Sequence, residues 1–103
     1  MRQRLIEELC KIAQRDSRVV LLTADLGYGV LDKFAAEFPS RFFNVGVAEQ
    51  SLIATATGLA EAGYVPYCYS IATFASLRGV EFIRNGPVAH RLPVRIIGIG
   101  PGM

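Results

Sequence analysis

Residues Phe42 to Ser51 read FFNVGVAEQS, an apolar strand that passes through a single glycine, Gly46, into a helix with Glu49 in its first turn. An acid there suits the positive end of the helix macrodipole and the free backbone N–H groups of the first turn. That explanation is incomplete, because Gly46 stands where a full capping box has Ser or Thr. The neighbours are also not those of a surface acid: Val45, Val47, Ala48, Leu52 and Ile53 are small or apolar and are expected to enclose the carboxyl. The rest of the chain therefore reads as support for Glu49.

Upstream, Arg2 to Arg15 carries Leu5, Leu9 and Ile12 at helical spacing, widened by Ile6 and Ala13, and Asp16-Ser17 ends that helix. Arg18 to Ala24 is an unbroken β-branched and leucine run, as in strands covered on both faces, and argues for a parallel sheet. Asp25-Leu26-Gly27-Tyr28-Gly29 follows it, at the carboxyl end of a strand where open α/β sheets gather ligands. A dinucleotide fingerprint fails here, since the third glycine position is Asp32. Capping of the next helix is the competing reading of Asp25. Leu31, Phe34 and Phe38 mark a short helix stopped by Pro39, and Phe42 to Val45 is the second strand.

Downstream, the Glu49 helix runs to about Ala62 and is closed by Gly63. Its small residues, Ala54 to Gly58, admit a second backbone, either across a subunit interface or within the fold. Val65 to Ser70 is the third strand, with Pro66 at its start. Thr73 to Arg84 reads as a helix with Phe74, Leu77 and Val80 on one side, broken by Asn85-Gly86-Pro87. Pro93 to Ile99 is the fourth strand, leading to the turn Gly100-Pro101-Gly102. Alternating helices and strands with these connections give an α/β fold, an open parallel sheet with helices on both faces.

The 103 residues form one domain, and its apolar share exceeds that of an average soluble domain, so part of its surface is expected to meet another protein. Eleven Lys and Arg are scattered among nine acids, for a net charge of +2, without the basic stripe of a nucleic-acid binder. No apolar run is long enough for a membrane span, and no signal-peptide core follows Met1; the cytoplasm is the expected compartment. Cys10 and Cys68 are far apart and read as buried thiols, and His90, the one histidine, has no partners for a triad or a metal site. No metal ligand set is assigned to this chain.

Read as FxNVGVAEQ followed by A-x-GLA-x-x-G, the opening stretch resembles the pyrimidine-binding domain of the transketolase family of thiamin diphosphate enzymes. VVLLTADLG, the Thr73-Phe74 pair and LPVRIIGIG agree with that family in order, so the resemblance covers nearly all of residues 1–103. It implies that Glu49 is the catalytic residue, hydrogen-bonding and activating the aminopyrimidine, and that Phe74 stacks on that ring, with a core phenylalanine as the competing reading. It implies also that Asp25 and Leu26 lie near the thiazolium side of the cofactor. Arg78 to Arg84 is similar to a further family segment, but Val80 replaces its tyrosine, leaving Arg78 a weak candidate for substrate or an ion pair.

The family's Gly-Asp-Gly motif for the metal and diphosphate does not occur. The resemblance then implies that Mg²⁺ is held by a diphosphate-binding N-terminal-half subunit, and that this chain is the C-terminal-half subunit of a split transketolase. Such an enzyme is an α2β2-like hetero-oligomer transferring a two-carbon ketol group between sugar phosphates. The family's domain continues past the last turn with further helix and strands, so the domain is expected to be incomplete at its C-terminus. Rival readings are a 1-deoxyxylulose-phosphate synthase, a 2-oxo acid dehydrogenase or decarboxylase β subunit, and a non-catalytic flavodoxin-like interaction domain. The synthase is disfavoured, because its Asp-Arg-Ala-Gly turn is Gly98-Ile99-Gly100-Pro101 here.

Overall fold

Val19–Thr23 forms β1, and all five of its residues are buried in the computed structural model, which describes residues 2–25, 29–71 and 79–100. Strand geometry sends alternate side chains to opposite faces. Val19 and Leu21 pack with Ile6, Leu9, Cys10 and Ala13 of α1 (Arg2–Arg15) and with Leu31 and Phe34 at α2 (Asp32–Glu37). Val20, Leu22 and Ala24 pack with Leu52, Ile53 and Ala56 of α3 (Glu49–Glu61). A strand with two apolar faces thus joins two cores, as the run of Val and Leu requires.

β2 (Phe42–Asn44), β3 (Val65–Ile71) and β4 (Arg95–Ile99) complete a parallel sheet in the order β2-β1-β3-β4. The expected fold class, an α/β open parallel sheet with helices on both faces, is what the structure shows. The chain steps from β1 to β2 with α2 on one face, then back across β1 to β3 with α3 on the other, as a single crossover hand demands. Connections therefore leave β1 and β3 in opposite directions. Their carboxyl ends form the topological switch point, where such sheets bind ligands.

Local chemistry explains most boundaries. Asp16 ends α1 by accepting the Arg18 backbone N–H at 2.9 Å and its guanidinium at 2.8 and 3.0 Å, and those bonds hold the Asp16 carboxyl down at about 2. Arg41 donates to the last carbonyls of α1, Ala13 O at 3.1 Å and Asp16 O at 3.2 Å, while its guanidinium lies 4.3 Å from the Phe38 ring centre. Gly63, at φ +101°, closes α3: its N–H reaches Ala60 O and the Tyr64 N–H reaches Leu59 O, the paired bonds of a Schellman ending. In β3 the Val65 N–H faces β1, bonding Arg18 O, so Pro66 turns its missing N–H to the β4 side, where pairing begins only at Tyr67.

The fourth helix departs from the sequence expectation in two ways. Asn85-Gly86-Pro87 does not end it; α4 (Val80–Ile83) continues through a π-helical turn over Arg84–Val88 and on to His90. A proline ring collides with the carbonyl four residues back in an α-helix, and a wider turn relieves that collision while leaving no bond for the absent N–H to make. Val80, expected on the packed side, is 57% exposed, and Ile83 is the residue that reaches the core. Thr73, Phe74, Leu77 and Arg78 lie outside the described residues.

The small residues of α3 divide between two uses. Ala56 is in the core, Ala54, Thr55 and Gly58 face outward, and Thr57 meets Gly86 of the π turn. A Cβ on Gly86 would lie 2.8 Å from Thr57 Oγ1 and 3.1 Å from its Cγ2, and that hydroxyl is already committed to Ile53 O at 2.7 Å. Gly86→Ala is therefore expected to destabilise the fold by about 1–3 kcal/mol through overpacking. Adding Thr57→Ala should recover most of it. Urea denaturation of the single and double variants checks this, and a stability gain from Gly86→Ala alone would contradict the close approach.

Both thiols are buried, as read from the sequence. Burial pushes Cys68 up to about 12, and burial and then Glu37 raise Cys10, so neither is a nucleophile at neutral pH.

Candidate active site

Glu49 is the first residue of α3 and is 4% exposed, the one charged side chain that is buried among the described residues. Ala48 precedes it in an extended conformation at φ −156°, and Gly46 turns the chain at φ +80°, a value that a Cβ would strain. The turn is tight, with the Ala48 N–H on Gly46 O at 2.8 Å. A strand ending at Asn44 thereby reverses within a few residues to present the carboxyl at the N-terminus of α3, where the helix dipole favours negative charge.

Leu52 and Ile53 are fully buried beneath that first turn, and Val45 packs on the same core, as expected. Val47 does not help to enclose Glu49, because it is 74% exposed. The tight turn at Gly46 swings it outward. A hollow of about 570 Å³ is lined by Ala48, Glu49, Gln50 and Ser51, so the buried carboxyl borders space that a ligand can enter. A second hollow of about 310 Å³, lined by Ala54, Thr57, Glu81, Phe82, Asn85 and Gly86, lies farther along α3 and contains no buried carboxyl.

Asp25 sits just past β1 in the left-handed region, at φ +58°. It is joined to the Glu49 turn through a residue to which sequence reasoning assigned no role. The Asn44 Oδ1 accepts the backbone N–H of Asp25 at 3.1 Å and of Gly46 at 3.0 Å, and Asn44 Nδ2 donates to Asp25 Oδ1 at 3.2 Å. The signal available beforehand was the N-V-G spacing, which suits an Asx turn onto the N–H two residues on. Thus the structure brings Asp25 and Glu49 to adjoining turns at the carboxyl ends of β1 and β2. Leu26 and Phe74 lie outside the described residues.

Ser70, near the end of β3, is wholly buried, and its Oγ has no hydrogen-bond partner among the described residues. His90 lies at the end of the π segment, its Nδ1 3.0 Å from Gly86 O. Among the described residues no group of three or more His, Cys, Asp or Glu gathers as a metal site. No helix among them is long and apolar enough to cross a membrane.

An open parallel sheet with a buried carboxyl and a hollow at its carboxyl edge places the chain among α/β domains of the kind that bind ligands at such edges. More narrowly, residues 1–103 match the pyrimidine binding domain of transketolase, and the chain belongs to the transketolase family. It is 41% identical, over its whole length, to a Methanocaldococcus jannaschii protein assigned as a transketolase C-terminal section. Over its whole length it is also 35% identical to the 6-deoxy-6-sulfo-D-fructose transketolase subunit SqwH of a Clostridium species. These alignments cover 33% and 32% of the two relatives, so the chain spans about a third of their length. A solved split gene transketolase, in an inactive β4 tetramer, superposes with a TM-score of 0.86 at 38% identity, over 94% of this chain and 32% of that one.

Proposed function

We propose that the chain forms the pyrimidine side of a split, thiamin diphosphate-dependent transketolase, with Glu49 as its proton-holding carboxyl. The enzyme transfers a two-carbon ketol group between sugar phosphates. The observation that carries this reading is the burial of Glu49 at the head of α3, beside a hollow at the carboxyl edge of the sheet. That donor set fits the aminopyrimidine half of the cofactor, since one carboxyl in a desolvated position can hold a proton at a ring nitrogen. Thiamin diphosphate, when bound, supplies the carbanion chemistry of its thiazolium C2.

The remaining roles are those that the family resemblance implies. Glu49 fixes the ring's orientation and keeps a proton at N1′, and Asp25 and Leu26 flank the thiazolium side, with Phe74 stacking on the pyrimidine. Among the described residues no three His, Cys, Asp or Glu gather to hold a metal ion. A diphosphate-binding N-terminal-half subunit supplies Mg²⁺, in an α2β2-like hetero-oligomer of the cytoplasm. The split relatives and the inactive state of the β4 tetramer support that division of labour. The outward small residues of α3 suit a close subunit contact.

Calorimetric titration of thiamin diphosphate with Mg²⁺ tests this, using the chain alone and after mixing with a diphosphate-binding N-terminal-half subunit. Binding is expected only in the mixture. Absence of binding in a mixture that forms a stable complex would overturn the proposal, and tight binding by the chain alone would overturn the shared site.

A further inference from the structure

We propose that Asn44 is the positioning residue of this site, and that Asp25 acts through it rather than by placing its charge on the cofactor. The inference rests on the function proposed above for the Glu49 turn. Asn44 stands at the exposed carboxyl rim of β2, where water could satisfy its amide. It instead makes three hydrogen bonds within the protein, two to backbone N–H groups and one to Asp25 Oδ1. On an exposed side chain such bonds gain little stability from desolvation, so their main consequence is geometric.

That geometry is specific. The Asp25 N–H and the Gly46 N–H converge on one oxygen from two different strand ends, and both residues lie in the left-handed region, at φ +58° and +80°. Asp25 has a Cβ, so its left-handed conformation carries a cost that the bonds to Asn44 help to offset. Gly46 leads into the turn that presents Glu49. One amide therefore couples the turn flanking the thiazolium side to the turn carrying the pyrimidine carboxyl. The two N–H donors on Oδ1 also fix which way the amide faces, leaving Nδ2 to meet the Asp25 carboxylate in a charge-assisted bond.

The pattern can be exchanged between the two positions. Asn44→Asp keeps the acceptor for both N–H groups but loses the donor and sets two carboxylates against each other. Combining it with Asp25→Asn restores all three bonds, with the donor now on residue 25, and Asn tolerates a positive φ well. If Asp25 instead serves by placing its negative charge on the cofactor, the exchange does not help.

The experiment is a double-mutant cycle in the complete complex, Asp25→Asn, Asn44→Asp and both together. It reads thiamin diphosphate affinity, turnover, and amide exchange over residues 46–52. Asn44→Asp is expected to weaken cofactor binding at least tenfold and to speed exchange of those amides. The double variant should return affinity to within about threefold of the parent and restore protection, which general loss of stability would not reproduce. Failure of the double variant to recover either reading, or an unperturbed Asn44→Asp, would overturn the proposal. Should the parent complex not bind the cofactor, the function proposed above fails, while recovery of amide protection still reports the coupling of the two turns.

Discussion

If the proposed function holds, Glu49→Gln should leave the fold and the proposed subunit assembly intact while reducing the proposed transketolase turnover by about 10²–10⁴-fold, the range for removal of a positioned acid or base. The substitution preserves the shape of a side chain that is 4% exposed at the first turn of α3, so no cavity opens. What it removes is an ionisable carboxyl, and with it the ability to exchange a proton with the ring. An amide can still hydrogen-bond a ring nitrogen but cannot pass a proton to it. Initial rates at saturating thiamin diphosphate, with gel filtration and circular dichroism as controls, measure the effect. Turnover equal to the parent's in an assembled complex would remove Glu49 from the chemistry.

Phe34→Ala should be the most damaging single change to stability, at about 3–5 kcal/mol. The ring is wholly buried among Ile6, Leu9, Leu31 and Tyr69, and its centre lies 5.0 Å from that of Phe38. It is the one fully buried residue within the six-residue helix α2, so little else holds that helix to the sheet. Against a total of about 5–15 kcal/mol for a domain of this kind, such a loss would populate the unfolded state measurably. Denaturant midpoints read it, with Phe43→Ala as comparison, since Phe43 is 37% exposed and should cost far less. A loss below about 1 kcal/mol would mean that α2 is not packed as described.

Much of the architecture was legible because it rests on local rules. The β1 run has no polar alternation and is buried on both faces; the amphipathic stripe of Arg2–Arg15 is α1 to the residue; and Gly63 closes α3 with the bonds that its left-handed φ permits. The fourth helix failed for the same reason that the others succeeded. A rule that proline ends a helix omits the π turn, which accepts Pro87 at the cost of regular pitch. The exposure of Val80 follows from where that irregular segment leans on α3, which no periodicity contains.

At the candidate site, the burial of Glu49 was legible from composition, since Val45 precedes it and Leu52 and Ile53 follow within a turn of helix. Asn44 was not. Its partners include a residue nineteen positions away, and the bond exists only because β1 and β2 pair in register, with Thr23 opposite Asn44. Val47 was misjudged because apolar character says nothing of direction once a left-handed glycine has turned the backbone.

The strand order has a consequence for how the molecule comes into being. β1 pairs with β2 on one side and with β3 on the other, yet β3 is made last of the three. As the chain leaves the ribosome, α1, β1, α2 and β2 can associate first, leaving the second edge of β1 and its α3-facing side chains open until Ile71 has emerged. Parallel pairing offers no hairpin to shorten that wait, and each neighbour is reached only by closing a long crossover. The segment most buried at the end is thus among the longest exposed at the beginning, and nascent chains are at greatest hazard of wrong association between the completion of β2 and the arrival of β3.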